Sequence, residues 1–241
     1  MLSKVGRPVA ELVVCVEGKT EAVFVRDLIS SHLSMYGITT IPRYLGKTRG
    51  GIRKWEAVSK DLKNEIRGGK MVTTMFDYYG LPNDWPGRAT STTVPMAERA
   101  SHIQLAIIEH LKTELGASFQ ESRFVPYIQL HEFEALLFSQ PAVLAQELAT
   151  RSNSDPASLL KQIEAIMAEC KKPELINDSP QTSPSHRLVN LVRNYNKVLF
   201  GNAIAAQIPL DTMRQECPHF DSWIRSLEQL GCTSEAEPAQ E

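Results

Sequence analysis

The chain lacks the marks of several large protein classes. Its four cysteines, Cys15, Cys170, Cys217 and Cys232, stand far apart and form no CxxC pair. That excludes a disulfide framework and is expected of reduced thiols in a cytoplasmic protein. No stretch approaches the ~20 consecutive apolar residues a membrane-spanning helix needs. The opening MLSKVGRPVAE has no apolar leader core. Charge of neither sign dominates, since 26 basic and 28 acidic side chains leave a formal net charge of −2. No global field therefore draws nucleic acid, and any such contact must be local or assisted by a partner. There is no internal repeat. Gly18-Lys19-Thr20 and Gly46-Lys47-Thr48 end like nucleotide-binding P-loops, but the earlier glycine that motif requires is Val13 in one and Ile41 in the other. The chain is not read as an ATPase.

What is present begins with residues 12–21, LVVCVEGKTE. Leu12 to Val16 form an unbroken, β-branched apolar run, the pattern of a central parallel strand covered on both faces. Glu17-Gly18-Lys19-Thr20-Glu21 then turns into a helix over 22–33. Ligands of open α/β sheets bind outside the carboxyl ends of strands, which is where Glu17 falls. An acid there is either a helix cap or a metal ligand. A second strand is predicted over 38–45, with Pro42 pointing to an edge position. A basic loop over 46–51 leads into a helix with Ile52, Trp55, Val58, Leu62 and Ile66 on its inner face. A third strand over 71–76 ends on Asp77. Residues 78–95 form a loop longer than a compact domain usually tolerates without function. A helix carrying Ile103, Ile107, His110, Leu111 and Leu115 precedes a fourth strand over 124–130, followed at once by His131-Glu132-Phe133-Glu134. Three strands thus end in acid.

From about residue 141 only helical patterns remain, over 142–150, 157–170, 187–200, 203–208, 210–217 and 220–230. With 241 residues, 42% of them hydrophobic, the chain can bury the core of one large domain, or of one domain with a helical appendage. The expected layout is an α/β domain over 10–140 with a mostly parallel four-stranded sheet, and an all-helical portion over 141–231. Disorder is expected at 1–9 and 232–241.

Parallel strands lie ~4.8 Å apart, so carboxylates ending neighbouring strands come within reach of one ion. Gathering Glu17, Glu21, Asp77 and Glu132 or Glu134 is costly unless a cation neutralises them. Oxygen ligands favour Mg²⁺ or Mn²⁺ over zinc. The alternation of Glu132 and Glu134 places them on one face only if the strand continues. Glu132 is preferred as ligand and Glu134 retained beside it. Lys19 reads equally as a phosphate-facing cation or a solvated lysine. Phosphate contacts are expected from Lys47, Arg49, Arg53 and Lys54, with His186 and Arg187 closing over the site. Asn190, Arg193, Tyr195, Asn196 and Lys197 continue that polar face. His131 is either a proton shuttle or a structural residue.

Glu17-Gly18-x-x-Glu21 after an apolar strand, with an acid ending a later strand, resembles the Toprim domain, in the form found in the overcoming-lysogenization-defect nucleases. A wider resemblance is to the bacterial domain-of-unknown-function family numbered 4276, carried by VEGKTE (16–21), TMFDYYGLP (74–82), HEFEALLF (131–138), INDSPQTSPS (176–185), YNKVLFG (195–201) and CPHFDSW (217–223). The resemblance implies a Toprim-like fold and a Mg²⁺- or Mn²⁺-dependent nuclease acting on DNA or RNA. It further implies an ABC-type ATPase partner in phage defence or DNA repair. Glu17 matches the family's acid/base or metal-binding glutamate, Glu21 its second acid, and Asp77 the first aspartate of a DxD pair. The second aspartate is Tyr79 here. That departure also admits a non-catalytic module that binds nucleic acid or regulates the ATPase.

Overall fold

A computed structural model describes residues 10–46, 51–176 and 180–233. Lys47, Arg49, residues 1–9 and residues 234–241 therefore lie outside the described residues. Five strands, β1 (Ala10–Val16), β2 (Ile38–Tyr44), β3 (Met71–Asp77), β4 (Phe124–Val125) and β5 (Ile128–Gln129), form a wholly parallel sheet in the order β2-β1-β3-β4, with β5 also on β3. Pro42 falls on the edge strand β2, as its missing N–H requires.

The two faces of the sheet explain the unbroken apolar runs. Alternate residues of a strand point to opposite faces. Leu12, Val14 and Val16 of β1 join one buried cluster, and Val13 and Cys15 join the other. The second cluster is closed by α3 (Trp55–Arg67) and α4 (Arg99–Leu115), whose Trp55, Val58, Leu62, Ile103, Ile107 and Leu111 are the expected inner faces. Ile52 is buried too, but ahead of the helix, where it bridges Gly46.

The first cluster takes α1 (Lys19–Phe24) and α2 (Ser30–Ser34), joined by a π-helical turn, Val25–Ile29. It also takes the C-terminal helices α5 (Pro141–Ser152), α6 (Pro156–Cys170), α7 (Pro184–Leu191), α8 (Asn202–Ala205), α9 (Leu210–Glu216) and α10 (Pro218–Thr233). Leu144, Leu148, Ile163, Ile204, Phe220 and Ile224 share one apolar core with β1, so the helical portion is built against the sheet. Among the described residues no helix is long and apolar enough to cross a membrane.

Two elements depart from the expected pattern, and both shape the site. The fourth strand is broken at Pro126-Tyr127, because Pro126 has no N–H for the ladder. Thr74 of β3 bridges the gap: its hydroxyl donates to the Tyr127 carbonyl at 2.9 Å and accepts from the Tyr127 N–H at 2.8 Å. The helix expected over 187–200 ends at Leu191. Val192 turns extended at φ −140°, and Asn196 caps a new π-helical turn, Lys197–Gly201, by accepting from Leu199 N–H at 3.0 Å. The long segment after β3 is ordered by short 3₁₀ turns and by buried Trp85, whose Nε1 donates to the Arg53 carbonyl at 3.0 Å.

Thr74→Val keeps size and β-branching but leaves both polar groups of Tyr127 buried without partners. A loss of about 1–3 kcal/mol is expected, read as a lower urea midpoint at unchanged slope. An unchanged midpoint would show that the hydroxyl bridge carries no stability.

Candidate functional site: a carboxylate cluster around Lys197

The cluster starts where β1 ends. Glu17 leaves the strand and Gly18 begins α1 in extended conformation, so its N–H is free to donate to Glu21 Oε2 at 3.0 Å. The choice between cap and site member has a double answer for Glu21. One oxygen caps the helix, and the other, Oε1, lies 3.5 Å from the Lys197 ammonium. Two glycines let the chain crowd Glu17. A Cβ on Gly46 would stand 1.8 Å from the Glu17 carbonyl oxygen, and one on Gly80 would stand 2.8 Å from Glu17 Oε2.

Asp77 ends β3, the neighbouring strand. Its Oδ1 accepts from the Phe133 N–H at 3.0 Å, and its Oδ2 accepts from Lys197 Nζ at 2.8 Å. The third contribution follows β5. His131 takes a left-handed φ of 67°, which ends the strand, and a 3₁₀ stretch, Phe133–Ser139, begins two residues later. Glu132 and Glu134 therefore part company. Glu134 is fully buried, with Oε2 3.2 Å from Lys197 Nζ. Glu132 points to the start of α7, where its Oε2 accepts from the Ser185 N–H at 2.9 Å. The structure thus brings together Glu17, Glu21, Asp77 and Glu134, and spends Glu132 on holding a helix.

Electrostatics follow from four acids facing one ammonium. Burial, then the charges of Asp77 and Glu21, push the Glu17 carboxyl up to about 8. Burial pushes Glu134 up to about 7, against the pull of Lys197. Glu21 and Asp77 are also raised, chiefly by burial. Lys197 is held well above the ordinary lysine value, because the attraction of Asp77, Glu134 and Glu21 outweighs its desolvation. Glu17 Oε2, Glu134 Oε1 and the Tyr195 hydroxyl are buried without a hydrogen-bond partner, and Glu134 Oε2 has the Lys197 ammonium beside it. Orphaned oxygens and an all-carboxylate donor set fit a hard divalent cation. As they stand, with Lys197 between them, no three His, Cys, Asp or Glu side chains among the described residues are arranged to hold a metal.

A cleft of about 670 Å³ opens onto the cluster, lined among others by Glu17, Lys19, Glu21, Tyr44 and Lys197. Lys19 is exposed there. The remaining predicted site residues are placed differently. His131 is buried, its Nε2 on the Glu174 carbonyl at 3.0 Å and its ring stacked on Tyr79. Arg53 donates to the Leu45 carbonyl and pairs with Asp61. Arg187 donates to the Thr182 carbonyl and pairs with Glu169. Lys54 and His186 are exposed.

Two functional features were not legible from motif spacing. Lys197 read only as part of a polar helical face, and Glu174 was not singled out. Glu174 is buried and accepts from the N–H groups of His219 and Phe220, both at 2.9 Å, at the start of α10. The signal for both lay in the YNKVLFG and CPHFDSW segments, whose Asn196 cap and Pro218 mark helix starts.

The family model described as Domain of unknown function (DUF4276) matches residues 16–228, so the chain belongs to that family. No curated protein matches it. Among solved structures it is similar to the C-terminal region of the Xanthomonas campestris pv. campestris OLD protein. The platinum-phased structure aligns at a TM-score of 0.47 and 15% identity, covering 94% of each chain. The iodine-phased one aligns at 0.44 and 13% identity, covering 94% of this chain and 98% of that one.

The raised carboxyls make the fold sensitive to alkali. Each folded-state pKa exceeds the ordinary value near 4.5, so the stability it contributes is complete below that value and is lost as pH rises through about 7 for Glu134 and about 8 for Glu17. Glu174, raised to about 7, acts in the same sense, and buried His219, held low, opposes them. The melting temperature of metal-free protein is expected to fall as pH rises from about 5 to about 8. Glu134→Gln should make that fall shallower in a buffer series followed by fluorimetry. Equal slopes would place the Glu134 titration at its ordinary value.

Proposed function

We propose that the chain is a Toprim-type phosphodiesterase that cuts DNA or RNA with bound Mg²⁺ or Mn²⁺, alongside an ABC-type ATPase partner in phage defence or DNA repair. The observation that carries this reading is the convergence of acids from three strand ends, with Glu17 Oε2 and Glu134 Oε1 buried without a partner. Cations of this kind, when bound, polarise a phosphoryl oxygen and sharpen a water into a nucleophile. Glu17 and Glu21 at the cleft, with Asp77 and Glu134 behind, are the residues that would hold one. Glu17 lines the cleft, where it could act as a general acid or base as well as a ligand. Lys19 at the cleft mouth would draw the phosphate and offset charge developing on it. The net charge of −2 suits a partner that delivers the nucleic acid. The ATPase itself rests on the motif resemblance.

A second reading, a binding or regulatory module without catalysis, is favoured by Tyr79 in the expected aspartate position. Labelled DNA and tRNA incubated with Mn²⁺ and the cognate ATPase separate the two. Cleavage that depends on metal and falls by a factor on the order of 10² or more in Glu17→Gln supports the enzyme. Binding without cleavage by both proteins supports the module.

A further inference from the structure

The Lys197 ammonium divides the four acids into an outer and an inner pair. Glu17 and Glu21 line the open cleft with it. Asp77 and Glu134 are not among its lining residues, and the division is one of cleft lining and not of burial, since the Glu21 side chain is 4% exposed against 8% and 0% for those two. Its contacts favour the inner pair, at 2.8 Å to Asp77 and 3.2 Å to Glu134 against 3.5 Å to Glu21. Among the described residues it makes no ion pair with Glu17, whose Oε2 stays buried and unpartnered. Metal pairs in phosphodiester chemistry sit about 3.5–4 Å apart, bridged by shared acids. A fixed ammonium already stands among these acids.

The geometry points to Lys197 as a resident cation that replaces one metal, so that the site admits a single divalent ion, held at its outer position by Glu17 and Glu21. This rests on the metal-dependent reading above. Two further observations agree. Where the motif resemblance expects a second aspartate stands Tyr79, a partly buried ring stacked 5.7 Å from His131. One ligand is missing and one fixed positive charge is added, and both changes remove the need for the same ion. Lys197 is also built into place. It opens the π-helical turn that Asn196 caps, and that turn closes on Gly201, where a Cβ would stand 3.1 Å from the Tyr195 hydroxyl and 3.3 Å from Phe133. A second dication would have to approach this ammonium within a few ångströms, where like charges repel. A neutral side chain at 197 would remove the cation that Asp77 and Glu134 face and leave room for an ion.

Counting bound Mn²⁺ on the whole chain, by calorimetric titration and elemental analysis, tests this without any activity assay. Wild type and Lys197→Arg, which keeps the charge, are expected to bind one ion per chain, and Lys197→Met two. Thermal unfolding checks that each variant is folded, and Lys197→Gln supplies a second neutral side chain should Lys197→Met fail to fold. A wild-type count other than one, or a count of one on the neutral variant, overturns the inference. If wild type binds two, the metal-dependent reading still stands. No Mn²⁺ on any of the proteins removes that reading as well.

Discussion

Taking four carboxylates out of water within a few ångströms of one another is the constraint on which the rest of the structure depends. Each of Glu17, Glu21, Asp77 and Glu134 loses hydration, which raises its proton affinity, and the Asp77 charge raises that of Glu17, Glu21 and Glu134 further, while Glu132 raises that of Asp77. A fold meets such a constraint by protonation, by hydrogen bonds or by a positive charge. All three are visible. Glu17 and Glu134 titrate near neutrality, Glu21 and Asp77 each accept a backbone N–H, and Lys197 stands between Asp77, Glu134 and Glu21.

The C-terminal helices are therefore part of the site. They supply the lysine, and two glutamates hold them in place, Glu132 from the segment after β5 and Glu174 from the turn after α6. Glu132 accepts from the N-terminus of α7, and Glu174 accepts from that of α10 while its own carbonyl takes the His131 ring. Negative charge at these positions also complements the helix dipoles. His219 of α10 returns the contact, with its Nε2 on the Ile128 carbonyl and its ring stacked on Tyr127. The acid-rich segment after β5 thus does two jobs that alternate along the chain. Glu132 fixes the helical portion, and Glu134 meets the lysine that portion carries.

The glycines beside Glu17 show how tightly its wall is drawn. Gly46 and Gly80 belong to segments that read as loops, yet a Cβ on Gly46 would meet the Glu17 backbone and one on Gly80 would displace the Glu17 carboxylate. Gly46 lets the chain after β2 close against the Glu17 backbone, next to the Leu45 N–H that donates to the Val16 carbonyl at 2.9 Å. Gly80 lets the turn after β3 press on the Glu17 carboxylate. Residues that read as loop composition are the contacts that shape the cleft.

Hydrophobic patterning alone determined the strands at 12–16, 38–45 and 71–76, the helices whose inner faces are Val58 and Leu62 or Ile103 and Ile107, and the acids at three strand ends. These follow from residue period and from the burial of a parallel sheet on both faces, which act locally. Only the tertiary structure decided that Glu134 meets Lys197 while Glu132 turns to α7, its charge still acting on Asp77 and Glu134. That outcome depends on the left-handed turn at His131, which the Glu174 carbonyl and the Tyr79 ring hold from outside the segment. It also decided that the helix expected over 187–200 breaks at Val192 and returns Lys197 to the sheet. Helical periodicity continues through that stretch. The break is favoured because the energy gained by setting an ammonium among buried acids comes from residues some 60 to 180 positions away, and no local pattern can register it.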